Sequence, residues 1–150
     1  MRKFDRKEIE EEVGRLYAQI TTLNSIADAL KEQGEIIQRQ LIDLQLALET
    51  LNEISKMEKN HKVILPLGSQ IMIDAILVDN EYAYVNVGSN VIIKKSNKDV
   101  REILEKRMEV LQKQQIEIQQ KLTETLSGIE YLQNQLNTLI QQLREKGTQG

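Results

Sequence analysis

The feature that most constrains this chain is a seam of apolar residues recurring in steps of four and three at both ends, interrupted by a middle third of different grain. In the first stretch Ile9, Val13, Leu16, Ile20, Leu23, Ala27, Leu30, Gly34, Ile37, Leu41, Leu44, Leu48 and Leu51 keep that alternation without a break. An average step of about 3.5 residues holds one stripe of a helix toward a partner helix, the condition for a left-handed coiled coil. No proline falls between residues 5 and 56, so one helix is expected over most of that span, ~75 Å long at ~1.5 Å per residue. In the last third Leu104, Met108, Leu111, Gln115, Ile118, Leu122, Thr125, Ile129, Leu132, Leu136, Leu139 and Leu143 repeat the pattern. Ser96 followed by Asp99 resembles a capping box with Asp in place of Glu or Gln, and Gly147 and Gly150 mark where the second helix should fray.

The middle is rich in Val, Ile and Tyr and punctuated by turn residues. Strands are expected over 62–67, 70–78, 82–87 and 91–95, separated by Gly68-Ser69, Asp79-Asn80-Glu81 and Gly88-Ser89-Asn90. Pro66 belongs at an edge or strand end, because it cannot donate a ladder hydrogen bond. The order helix, two hairpins, helix lets the helices pack antiparallel, with Leu51 near Leu104 and Leu16 near Leu139. A four-stranded sheet that is apolar on both faces and carries no covering helix cannot stand alone, so oligomerisation is expected. The fold class is therefore α+β and mostly helical: a long antiparallel two-helix coiled coil joined by two β-hairpins that assemble into an oligomeric barrel. One domain is expected, divided into 1–58, 61–95 and 97–147.

Composition narrows the function classes. A chain of 150 residues holds one domain. Aromatic residues are only 3% and Trp is absent, too little bulk for an ordinary compact core, while 7 Gly and 1 Pro suit long helices. With no Cys there is no disulfide framework, thiol catalysis or thiolate metal site. The net charge of −3 supplies no basic field to draw nucleic acid. No apolar run approaches the ~18 to 20 residues of a membrane span, and the N-terminal stretch lacks the apolar segment of a signal peptide. A cytoplasmic protein is expected. The lone His61 cannot assemble a metal site within the chain. No phosphate-binding loop or nucleophile motif is present, so neither cofactor nor enzymatic activity is expected.

The chain resembles a prefoldin subunit of the archaeal alpha class. Leu65-Pro66-Leu67-Gly68-Ser69 is similar to the family's Pro-x-Gly turn, and Val78-Asp79-Asn80 to its second turn. Val85-Asn86-Val87-Gly88-Ser89-Asn90, followed by Val91-Ile92-Ile93-Lys94-Lys95-Ser96, resembles its Val-x-Val-Gly segment and the run into the second helix. Gln70-Ile71-Met72 departs from a more common glycine and aromatic. Two hairpins suggest the alpha class, since beta-class subunits carry one. The resemblance implies a hexamer of two alpha and four beta subunits whose hairpins close two β-barrels. It also implies an ATP-independent chaperone that captures unfolded proteins at the tips of its coiled coils and delivers them to a group II chaperonin.

On that reading the hairpin residues Val63, Leu65, Pro66, Ile71, Ile73, Val85, Val87, Val91 and Ile93 are the expected oligomer contacts. Client contact is expected at the tip, from Ile9, Val13, Leu16 and Ile20 facing Leu132, Leu136, Leu139 and Leu143, with Phe4, Tyr17 and Ile140 adding apolar surface off the seam. Exposed apolar surface of this kind marks interaction sites. Ile36, Ile42 and Leu46, outside the seam, are expected to touch a neighbouring subunit. Ala27, Gly34, Gln115, Thr125 and Gly128 thin the seam, as tolerated drift or as a compliant region. Two alternatives share the fold: a filament-forming prefoldin-like structural protein, and a coiled-coil scaffold for one defined partner.

Overall fold

The computed structural model describes residues 5–148. Helix α1 (Arg6–Lys56) is followed by β1 (His61–Gly68), β2 (Ile71–Leu77), β3 (Tyr82–Asn86), β4 (Ile92–Ser96) and α2 (Asn97–Thr148). Every expected seam position on both helices is buried or half-buried, while the positions between are mostly exposed. The α1 start is a reciprocal capping box. The Glu8 N–H donates to Asp5 Oδ1 at 2.8 Å, and the Asp5 N–H donates to Glu8 Oε2 at 3.1 Å. At α2 only half of the expected box forms: the Asp99 N–H donates to Ser96 Oγ at 3.2 Å. Gly147 does not stop α2, which continues to Thr148.

The chain forms two compact units. One pairs the α1 residues up to Gln38 with the α2 residues from Gln114. Its core is Leu16, Ile20, Ala27, Ile129 and Leu136, flanked by Val13, Leu23, Leu122, Leu132, Leu139 and Ile140. The pairing is antiparallel. A Cβ on Gly34 would lie 3.7 Å from Ile118, and one on Gly128 would lie 3.7 Å from Leu23. These glycines sit where the helices face each other, and the space beside them is ordinary van der Waals room.

The other unit, Arg39–Lys113, holds both hairpins. Its core joins Leu51, Val100 and Leu104 of the helices to Val85 of β3, with Leu44, Leu48, Ala83 and Ile103 packed around them. A polar clamp fixes the connection between hairpins. Asn80 Nδ2 donates to the Met57 carbonyl at 2.7 Å, and Asn97 Nδ2 donates to the Asn80 carbonyl at 2.6 Å. The Asn97 N–H donates to the Glu81 carbonyl at 2.8 Å. Asn97 is buried, so these bonds form where water competes least.

The two expected hairpins form, as separate sheets and not as one four-stranded sheet. Strands β1 and β2 make one antiparallel pair and β3 and β4 another, with no ladder between them. The residues that separate β2 from β3 are tied to the helix ends by the clamp instead of running as a sheet turn. The first hairpin tip also shifts by one residue from the expected Gly68-Ser69, while the second falls within the expected Gly88-Ser89-Asn90. Ser69 and Gln70 have φ of 49° and 64°, and Ser89 and Asn90 have 50° and 60°. Two consecutive positive φ values are the type I′ geometry that matches strand twist. Gly68 and Gly88 precede these turns at φ of 107° and 119°, a region that side chains strain to enter.

Candidate functional site

The hairpins place an unusual amount of apolar surface in water. In β1–β2 the register pairs Val63 with Ala75 and Leu65 with Ile73, which puts these four side chains, with Leu77, on one face. The opposite face carries Ile64, Pro66, Met72 and Ile76 beside the Lys62–Asp74 ion pair at 3.4 Å. Leu65, Pro66, Ile71 and Ile73 are exposed, Ile64 at 66%, and Val63 is half-buried. An isolated two-stranded hairpin is marginal in water at best. This one is apolar on both sides and open along both edges, which marks it as a surface awaiting cover.

The second hairpin is divided differently. Ala83 and Val85 face the helices, and Val85 is 6% exposed within the chain's own core. Val85, expected among the oligomer contacts, instead packs on Leu51, Val100 and Leu104 of its own chain. Val87, Val91 and Ile93 are exposed. On the outer face Lys94 Nζ lies 5.4 Å from the Tyr82 ring centre and 5.9 Å from that of Tyr84, within cation–π range, and 3.5 Å from an Asp79 oxygen. The Asp79 carboxyl is held below its usual range chiefly by the Glu81 N–H, with the Tyr82 N–H and Lys94 adding to it. It accepts those two backbone bonds at 2.8 and 3.2 Å.

The expected tip residues divide by accessibility. Ile9, Leu16, Ile20 and Leu136 are buried in the seam, with Ile9 at 1% and Leu16 at 2%. Val13, Leu132, Leu139, Ile140 and Leu143 are half-buried, and Tyr17 is exposed. Phe4 lies outside the described residues. Between the helices runs an open groove. At one end it is lined by Ile9, Leu16 and Leu139 under Glu8, Glu11 and Glu12. Further along it is lined by Leu23, Leu132, Tyr131 and Gly128. Arg15 borders both stretches and is ion-paired with Glu12. Apolar periodicity marks the seam but not this groove, because a groove depends on which flanking side chains are short.

His61 is exposed at the start of β1. Among the described residues no group of three or more metal-ligating side chains gathers, and no helix is long and apolar enough to cross a membrane.

Residues 24–142 match the family model of the prefoldin subunit. The chain belongs to the prefoldin family. Among its relatives, the prefoldin subunit alpha of Methanopyrus kandleri is 29% identical over 120 residues, 80% of this chain and 76% of that protein. The prefoldin subunit alpha 1 of Thermococcus kodakarensis is 30% identical over 104 residues, 69% of this chain and 68% of that one. A cryo-EM structure of filamentous PFD from Methanocaldococcus jannaschii superimposes with a TM-score of 0.62 at 20% identity, over 81% of this chain and 95% of that one. With two hairpins between matched helices and these alpha-subunit relatives, the chain is a prefoldin of the archaeal alpha class, a family of chaperone subunits and not of enzymes.

Proposed function

We propose that this prefoldin is the alpha subunit of an ATP-independent holdase, working in the cytoplasm. It assembles with four beta subunits and a second alpha subunit through its hairpins, holds unfolded proteins at the chain-terminal ends of its two helices, and passes them to a group II chaperonin. The observation that carries this reading is the division of apolar surface. The helices bury their seam, whereas the hairpins leave Leu65, Ile71, Ile73, Val87 and Val91 exposed. Such a surface is stable only when other chains cover it.

The test is co-expression with a prefoldin beta subunit, mass measurement of the product, and an assay of aggregation of a denatured protein. A discrete hexamer that slows aggregation supports the reading; a polydisperse filament of this chain alone would replace it with a structural role. Deleting 1–12 together with 138–150 should leave assembly intact and abolish protection, because holding depends on many weak contacts acting together. The same deletion in the beta subunit is the control for compensation. Full protection by the trimmed hexamer would move the client site away from the helix ends.

A further inference from the structure

The interhelical groove has a side, a length and a charged end, and these define what fits it. On α1 its wall is Glu8, Glu12, Arg15, Gln19 and Thr22. Those positions advance by four and three, so they form one stripe. On α2 the opposing wall is Thr138, Gln135, Tyr131 and Gly128, again a single stripe. The two stretches of groove are therefore one channel along one face of the helix pair. From Glu8 to Thr22 it runs about 21 Å at about 1.5 Å per residue, roughly the length of a four-turn helix.

Three features shape the channel. Its floor is apolar: half-buried Leu139 over the closed Ile9 and Leu16 at one end, and half-buried Leu23 and Leu132 at the other. At Gly128 the α2 wall has no side chain, so a guest can approach the backbone beside Leu23. Tyr131 stands 63% exposed next to it, its hydroxyl accepting a hydrogen bond from Gln135 Nε2 at 2.9 Å. The far end is acidic: Glu8, Glu11 and Glu12 line it, and Arg15 opposes them while paired with Glu12. Apolar anchors one turn apart laid into such a groove are the recognition mode of amphipathic helices, and the acidic end complements positive charge.

We infer that this channel binds an amphipathic helical segment of a client, apolar at positions i, i+4, i+7 and i+11, with basic residues at the end that meets Glu11. This rests on the chaperone reading and deepens it. The guest is a partly formed helix lying along one side of the helix pair, and the seam residues beneath stay closed.

The test uses the full-length chain assembled with its beta subunits and three fluorescein-labelled peptides of about 16 residues, long enough to form a helix of about 24 Å. One is a Leu/Ala helix with Lys at one end, the second is the same composition scrambled, and the third replaces Lys with Glu. The first should bind at least about tenfold more tightly than either of the others by fluorescence anisotropy. Gly128→Leu should weaken it at least about tenfold, because its side chain fills the space where a guest approaches the backbone beside Leu23. Glu11→Lys should remove the preference for Lys over Glu, as should raised salt.

Equal binding of ordered and scrambled peptides, or wild-type affinity in Gly128→Leu, overturns the inference. Equal binding of the Lys and Glu peptides overturns its charged end. The aggregation assay separates this from the parent reading. If Gly128→Leu protects a denatured protein fully, the groove is wrong and the chaperone reading stands. If the wild-type assembly protects nothing yet binds the ordered peptide selectively, the chaperone reading fails and the groove stands.

Discussion

At the residue scale, the hairpin turns hold local strain that the sequence did not need to carry. Gln70 sits at φ 64° without the local side-chain hydrogen bonding that makes Asn tolerable there. Gln70→Gly should relieve about 0.5 to 1 kcal/mol, offset in part by glycine's greater freedom when unfolded, and so slow amide exchange across β1–β2 about threefold in the assembled protein. Unchanged exchange would mean that the turn does not limit opening of this hairpin. Asp79 supplies a pH-dependent test. Its folded carboxyl is depressed, so the stability it contributes is present above the ordinary aspartate range and is lost as pH falls through its lowered value. Asp79→Ala should therefore be less stable than wild type at neutral pH. The two denaturation midpoints should converge in acid, below the usual carboxylate range, and a constant gap across that range would assign the effect to packing.

At the scale of elements, the two helices are legible almost position by position, and their glycines are where they can be improved. A methyl added at Gly14 would meet nothing within 4 Å, and one at Gly34 would meet only Ile118 at 3.7 Å. Gly14→Ala and Gly34→Ala should each raise stability by about 0.5 to 1 kcal/mol, read as a higher thermal midpoint. A loss at Gly34 alone would show that close helix approach there matters more than backbone entropy. The Asp5 capping box is worth about 1 kcal/mol by analogy with other side-chain caps. Asp5 and Glu8 have the diagnostic spacing, but both are polar and precede Ile9, so the apolar seam gives no sign of them. An internal repeat escapes the helical periodicity in the same way. Leu65-Pro66-Leu67-Gly68-Ser69-Gln70-Ile71-Met72-Ile73 and Val85-Asn86-Val87-Gly88-Ser89-Asn90-Val91-Ile92-Ile93 share one pattern, and both fold into the same left-handed pair at the tip.

At the scale of the whole molecule, the two valines of the second hairpin separate folding from assembly. Val85 is in the chain's own core, whereas Val87 is exposed. Val85→Asp buries an unpaired carboxylate and should cost about 3 kcal/mol of the chain's own stability, seen as a lower urea midpoint. Val87→Asp should leave that midpoint within about 0.5 kcal/mol, as exposed substitutions do, yet block association with beta subunits. If both variants assemble normally, the second hairpin is not a subunit contact. The wild-type chain alone should self-associate at micromolar concentration, and sedimentation as a well-folded monomer would count against assembly through the hairpins.

The sequence by itself determined the elements and the seam. Helical periodicity, strand alternation and turn chemistry are short-range properties, written in residues a few positions apart, so Leu16, Leu51, Leu104 and Leu136 are assigned to buried positions by spacing alone. The pairing of distant surfaces was decided only in the tertiary structure. Whether β2 would ladder with β3 depended on Asn80 and Asn97, 17 residues apart, meeting in a clamp that diverts the connection to the helix ends. Whether Val85 or Val87 would face the chain's own helices depended on where β3 lands against Leu51 and Leu104, although both carry the same alternation. The groove, too, depends on the Glu8-to-Thr22 side of one helix coming opposite the Gly128-to-Thr138 side of the other. Periodicity specifies which face a residue takes, but what lies against that face is set by long-range packing, and only the folded chain brings those partners together.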